Sequence, residues 1–371
     1  MAEPLNAGFA REVRIQYSMR AIFLSSQIGP PLLLSIFLFF LAESGYFDEG
    51  LIKKEREGRM PGVRKIHFDR NTVAGLGAIL IWSTSIALVR SISEQVGPLA
   101  GAAGVHLIGG IFSFALFLYR AKGSLLPLQD LSRKFLFGCG ALFVFYMLAL
   151  FFAVGMAADR HQVLEIGLLN YLWPALTILF SLFLLHKRGN FVLAPGTLLG
   201  LSGVFLVLAQ GQSISLTSVA GNVARNPIAY ALGLAAALSW ALYSNLTRRW
   251  GDPKAMGAVE LFILVTGVVF LLLSWIAGEG RAWTWRAGLE VTFLGLATAL
   301  AYILWDSAMR KGDIVFVAAC SYFTPLLSTL LSCLYLQVVA GVRLWLGCML
   351  IVAGSLLSWA SVSDRQTPTA Q

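Results

Sequence analysis

Asn170-Tyr171-Leu172-Trp173-Pro174 returns 151 residues later as Ser321-Tyr322-Phe323-Thr324-Pro325. In the same register Gly196, Leu199 and Gly203 fall on Gly347, Leu350 and Gly354, so G-x-x-L-x-x-x-G occurs twice. Two motifs sharing one offset point to an internal duplication. Gly75, Leu80 and Trp82 align with Gly233, Leu238 and Trp240 at an offset of 158, which needs only a modest loop difference. Each glycine taken singly is also what ordinary membrane helix packing uses, because small residues let helices approach closely. The prolines carry more. Pro174 and Pro325 each break a helix and are expected to free the carbonyls four residues earlier, Asn170 and Ser321, opening polar groups in mid-membrane.

The surroundings of these motifs are lipid-soluble. The chain has 371 residues, 57% hydrophobic and 13% charged, against about 25% charged in an average soluble domain. That excludes a cytosolic enzyme, a disordered chain and a secreted disulfide scaffold. The cysteines, Cys139, Cys320, Cys333 and Cys348, lie in apolar runs at no metal-ligand spacing and read as packing residues, with no disulfide, metal or cofactor expected. A net charge of +9 reflects cytoplasmic loops rich in Lys and Arg, so no nucleic-acid partner is implied.

Spanning helices need about 20 mostly apolar residues. Ten such runs fall near 72–90, 98–119, 135–157, 163–185, 192–210, 227–247, 256–277, 288–309, 313–337 and 343–361. The longest loop between them, around 211–226, is too small for a domain of its own. Nineteen basic residues fall in one set of alternate loops, among them Lys53, Arg120, Lys187, Arg248 and Arg310; six fall in the other, among them Arg90, Arg160 and Arg343. Both ends of the ten-helix core are therefore placed in the cytoplasm. The fold expected is an all-α polytopic membrane protein of ten transmembrane helices. Residues 72–210 and 227–361 form its two repeats, and 362–371 a cytoplasmic tail. Five helices per repeat is an odd number, so the second copy enters the membrane upside down. Inverted repeats let a central site open to either side in turn.

Residues 1–59 stand apart. Ala21 to Ala42 is apolar enough to span, yet contains Pro30 and Pro31, and spanning would place Arg11, Arg14 and Arg20 outside. No clean signal-peptide cleavage site is seen. Lys53-Lys54-Glu55-Arg56-Glu57-Gly58-Arg59 is what purine-rich codons encode, and Met60 follows. The expectation is a translated ribosome-binding site, with residues 1–59 absent from the native protein; peptides from residues 12–56 in natively expressed material would refute it.

His161-Gln162 followed by Glu165-Ile166-Gly167-Leu168-Leu169-Asn170-Tyr171-Leu172-Trp173-Pro174-Ala175-Leu176-Thr177-Ile178-Leu179-Phe180 resembles the fourth-helix signature of the bacterial aromatic amino acid exporters of the drug/metabolite transporter superfamily. Ser321-Tyr322-Phe323-Thr324-Pro325-Leu326-Leu327-Ser328 is similar to their ninth-helix counterpart, and Trp82-Ser83-Thr84 to their first. The resemblance covers residues 72–361. It implies two EamA-type halves, inner-membrane location and export of aromatic amino acids. The chain departs at Asp306 and His106, where the resemblance leads one to expect Asn and Tyr.

An aromatic amino acid offers a ring, an ammonium and a carboxylate. Rings are met by aromatic side chains, each pair worth about 0.5–1.5 kcal/mol beyond burial. Trp82, Tyr146, Trp173, Trp240, Tyr243, Tyr302, Trp305 and Tyr322 are mid-helix or repeat-related, and read either as cavity lining or as core; Tyr171 joins them through its place in the fourth-helix motif. Trp283, Trp285, Trp345 and Trp359, near helix ends, read as interfacial belt. Ionisable groups in the membrane cost about 2.5–3.5 kcal/mol even on the lenient scale, and four qualify: His106, Glu165, Glu260 and Asp306. Glu165 holds either the substrate ammonium or a coupling proton, or else faces its own helix dipole. Asp306 shares a face with Tyr302, or pairs with Arg310 or Lys311. Glu260 reads as interfacial, and His106 as a packed histidine or a proton relay. The substrate carboxylate is assigned to Asn170 or to backbone groups beside the prolines.

Rival classes fit less well. Gly200-Leu201-Ser202-Gly203 has the form of an intramembrane protease nucleophile, but all four histidines, His67, His106, His161 and His186, precede it. A channel lacks its carboxylate rings and a metal site its His/Cys cluster. The partners expected are a small-molecule substrate and the bilayer, with a monomer sufficient. Within transporters the alternative is a carrier of cationic drugs or other metabolites.

Overall fold

The computed structural model describes residues 69–208, 216–252, 256–279, 283–328 and 342–363, all within one unit, Arg64–Gln371. The expectations for residues 1–59, for Cys333 and for the end of the ninth run lie outside the described residues.

Helices stand at each of the ten runs, and their ends follow from local chemistry. α1 (Arg70–Val96) is capped by Asp69, whose carboxylate accepts from the Thr72 N–H at 2.7 Å. Its polar stretch Ser83-Thr84-Ser85 turns all three hydroxyls onto the Leu80 and Ile81 carbonyls, which hides them from lipid. Pro98 opens α2 (Pro98–Arg120). α3 runs over Lys134–Gly155, its first turn a π-helix over Lys134–Cys139. The fourth run is two helices, α4 (Arg160–Asn170), capped by Asp159, and α5 (Trp173–Leu184), with a turn at 171–172 between them. α6 (Leu193–Leu208) completes the first half. The 211–226 loop carries more than expected: a short helix, α7 (Leu216–Arg225).

The second half runs through α8 (Pro227–Trp250), α9 (Ala258–Ile276) and α10 (Trp285–Lys311). α11 (Ile314–Cys320) is capped by Asp313, stops at a turn over 321–322, and helix resumes over 323–328. α12 (Val342–Ala360) ends the bundle. Six of these stretches are long and apolar enough to cross a membrane: Pro98–Arg120, Lys134–Gly155, Glu165–Leu184, Pro227–Trp250, Ala258–Ile276 and Trp285–Lys311. Leu193–Val207, Ile314–Ser328 and Trp345–Ala360 are shorter apolar helices. Arg120, Arg248, Arg249, Arg310 and Lys311 lie in the last turns of α2, α8 and α10, where the helix dipole favours them.

Both prolines coincide with helix breaks, but the Ser321 carbonyl is not left open: it accepts from the Thr324 N–H at 3.1 Å, because the chain closes the break with a tight turn. The expected tail at 362–371 begins as structure. Val362–Ser363 (β2) pairs antiparallel with Arg188–Gly189 (β1), tying the end of the fourth run to the end of the tenth.

α1 lies against α10 and α3 against α8; α8 also meets α4 and α5, while α11 meets α1. α2 packs on α9 and α6 on α12. The last pair crosses glycine to glycine. A Cβ on Gly203 would stand 2.7 Å from the Gly347 oxygen, and one on Gly354 would stand 2.7 Å from the Gly196 oxygen. As α6 advances from Gly196 to Gly203 its neighbours recede from Ser358 to Ile351, so the two helices run antiparallel.

Candidate functional site

Three helices each present an i,i+3 pair of rings on one face: Phe143 and Tyr146 on α3, Trp240 and Tyr243 on α8, Tyr302 and Trp305 on α10. Trp82 joins them from α1, and Trp173 from the first residue of α5, directly after the break. Trp240 stands at the centre. Its ring lies 4.6 Å from Tyr146, 5.1 Å from Tyr243, 5.8 Å from Trp82 and from Tyr302, and 5.9 Å from Trp305. Phe143 and Trp173 follow at 6.0 and 6.4 Å. Most of these pairs are tilted or edge-to-face, the arrangement the ring quadrupole favours. Trp240, Trp305, Tyr243 and Phe143 are at most 2% exposed, whereas Trp82 and Tyr146 are half-buried.

Seven of the eight mid-helix aromatics named from the sequence therefore meet, and Phe143 completes the set. Phe143 was hidden among 25 phenylalanines; its spacing of three from Tyr146 was the signal. Asn170, at the end of α4, sits beside the Tyr146 hydroxyl. Tyr322 and Tyr171 lie elsewhere, in a cluster with Val204, Leu326 and Ile351 where the α6–α12 pair meets the two breaks. His106 is also apart: its Nδ1 lies 2.8 Å from the Ala102 carbonyl, and its ring is 5.6 Å from Phe270 at the α2–α9 contact.

The two deepest carboxylates have different surroundings. Glu165, on α4, is clamped from beyond the first half: Tyr230 of α8 donates to Oε2, and the Asn222 amide of the connecting α7 lies 3.2 Å from both oxygens. Neither partner was visible in the sequence, since Asn222 lies in a stretch read as loop and Tyr230 has no aromatic mate in the first repeat. Asp306 accepts from Arg310 one turn on, and Arg310 also donates to the Asp252 carbonyl at 3.0 Å. Glu260 stands in the first turn of α9, half-buried.

Of the four tryptophans assigned to an interfacial belt, Trp283, Trp285 and Trp345 are 52–81% exposed. Trp359 is not among them. It is buried against Phe316 at 5.8 Å, because the end of α12 folds over the start of α11.

Glu165→Gln is expected to lower stability by about 1–3 kcal/mol, the cost of disturbing a buried, fully bonded polar group. A melting curve in detergent checks this, and substrate preference should not change, because both Glu165 oxygens are held by Tyr230 and Asn222.

The EamA-like transporter family model matches residues 72–209 and again 227–360. The aromatic amino acid exporter YddG of Salmonella typhimurium is 32% identical over 298 residues, covering 79% of this chain and 98% of that protein. That of Ancylobacter novellus is 33% identical, covering 77% and 96%. A solved crystal structure is 30% identical with a TM-score of 0.65, covering 78% of this chain and 96% of its own. With one EamA domain over residues 72–209 and a second over 227–360, this chain belongs to the EamA-like transporter family and is a multi-pass membrane transporter rather than an enzyme.

Proposed function

We propose that the protein exports aromatic amino acids across the bacterial inner membrane by alternating access at the Trp240 ring cluster. Ten spanning helices form two five-helix halves of opposite orientation, with the ends of the core in the cytoplasm. The observation that carries this reading is the cluster itself. A flat ring is its natural guest, because the side chains that line it are indoles and phenols at stacking and edge distances.

The packing supports the inversion. Exchanging the halves turns the α1–α10 contact into α8–α3, and the α11–α1 contact into α4–α8. It also carries the Gly203–Gly347 approach onto Gly354–Gly196. Trp82 and Trp240, matched at an offset of 158, face each other at 5.8 Å, as mates near a twofold axis do. A site between two such halves faces one compartment or the other as the halves exchange conformations. The names of the relatives at 30–33% identity agree with this substrate.

Counterflow in liposomes containing only the purified protein is the test, with labelled tryptophan, phenylalanine and tyrosine, with and without a pH gradient. Uptake of the three is expected. Exchange of a lipophilic cation with none of the three would replace this substrate with the cationic drugs of the alternative reading. Asn170→Ala is expected to slow exchange severalfold without loss of protein from the membrane, since its amide adjoins Tyr146 of the ring cluster; unchanged transport would remove Asn170 from the site.

A further inference from the structure

Glu165 and Asp306 both qualify by burial to hold a substrate's ammonium, and their hydrogen bonds separate them. Both Glu165 oxygens are taken, by Tyr230 and Asn222. Asp306, 2% exposed, uses only Oδ2, which accepts from Arg310; its Oδ1 is buried with no hydrogen-bond partner among the described residues. The preceding residue, Trp305, is fully buried, and its Nε1 likewise has no partner. A carboxylate oxygen only accepts and an indole N–H only donates. Leaving either buried and unmet costs about 1–3 kcal/mol, so each calls for a partner of opposite hydrogen-bonding sense. The ring cluster adjoins them. Trp305 lies 5.2 Å from Trp82 and 5.3 Å from Trp173, and Tyr302 is one turn before Asp306.

We propose that Asp306 and Trp305 form the headgroup subsite. Asp306 Oδ1 accepts from the substrate's ammonium, Trp305 Nε1 donates to its carboxylate, and Arg310 fixes the rotation of the Asp306 carboxylate. The proposal rests on the exporter reading and adds what selects within it: a ring bearing both charges of an α-amino acid, in preference to an aromatic amine or an aromatic acid.

The test is tryptophan counterflow in liposomes with unlabelled tryptophan, tryptamine or indole-3-propionate as competitor. Wild-type protein is expected to need about tenfold more of either analogue than of tryptophan, the equivalent of one lost polar contact. Asp306→Asn should raise the tryptophan requirement and close the gap to indole-3-propionate, which has no ammonium to lose. Trp305→Phe should close the gap to tryptamine instead. An Asp306→Asn protein that exchanges tryptophan with the wild-type ratio to indole-3-propionate overturns the proposal. Loss of exchange in a folded Asp306→Asn protein supports the proposal if Asp306→Glu restores part of it, and opposes it otherwise. Should Asp306→Asn not be recovered folded, an unchanged tryptophan-to-tryptamine ratio in Trp305→Phe overturns it. A wild-type protein that exchanges no aromatic amino acid overturns the exporter reading itself, an outcome distinct from both.

Discussion

Gly354→Ala will leave little folded protein. The added methyl would lie 2.2 Å from the Gly200 nitrogen, 2.5 Å from its Cα and 2.7 Å from the Gly196 oxygen, all backbone atoms of α6. No side chain can rotate away, so α6 and α12 have to separate along their crossing. Overpacking a well-fitted core costs typically about 1–3 kcal/mol when side chains can adjust, and a backbone clash belongs at or above the top of that range. Membrane helices gain little from hydrophobicity against each other, so van der Waals contact at such a glycine seam is most of what joins them. Gly288→Ala is the control. Nothing stands within 4 Å of its added methyl, and alanine favours a helix by about 1 kcal/mol over glycine. Monodisperse yield and melting temperature in one detergent should fall sharply for Gly354→Ala and hold or rise for Gly288→Ala.

Trp240→Ala is expected to abolish exchange and to destabilise the bundle by about 3–5 kcal/mol, the range for removing a large buried ring. Its indole touches seven other rings from α1, α3, α5, α8 and α10, so its loss opens the centre of the cluster to collapse. Tyr146→Ala separates function from folding. Tyr146 is half-buried, so the protein should fold, while the half-saturating tryptophan concentration rises by up to about tenfold, the equivalent of one aromatic pair. Trp285→Ala, 81% exposed, should match wild type in both assays.

Much of this was legible in the sequence because it follows from periodicity. The long and short apolar helices stand where lipid requires apolar runs, and the breaks follow from Pro174 and Pro325. Seven rings of the cluster stood out as mid-helix or repeat-related aromatics, but that their faces meet around Trp240 depends on how α1, α3, α5, α8 and α10 pack. What could not be read depends on contacts between distant segments. Glu165 is bound by Tyr230 and Asn222, 65 and 57 residues away, and only the packing of α7 and α8 on α4 brings them there. Tyr322 has the same composition signal as Tyr302, yet it sits in the 321–322 turn and packs against the α6–α12 seam. Trp359 has the position of a belt residue but is covered by Phe316. The open oxygen of Asp306 is a property of its surroundings that no sequence pattern encodes.

The central claim is that two inverted halves enclose the rings, and side-specific labelling tests it most directly. Ala121 and Ala277 are the C-caps of α2 and α9, helices that hold the same place in the two halves. Each is replaced singly by cysteine in a background lacking the four native thiols, and spheroplasts are treated with a membrane-impermeant maleimide. Ala277→Cys should be labelled on intact spheroplasts, and Ala121→Cys only after permeabilisation. Labelling of both from the same face would contradict inversion, and alternating access at the Trp240 cluster with it.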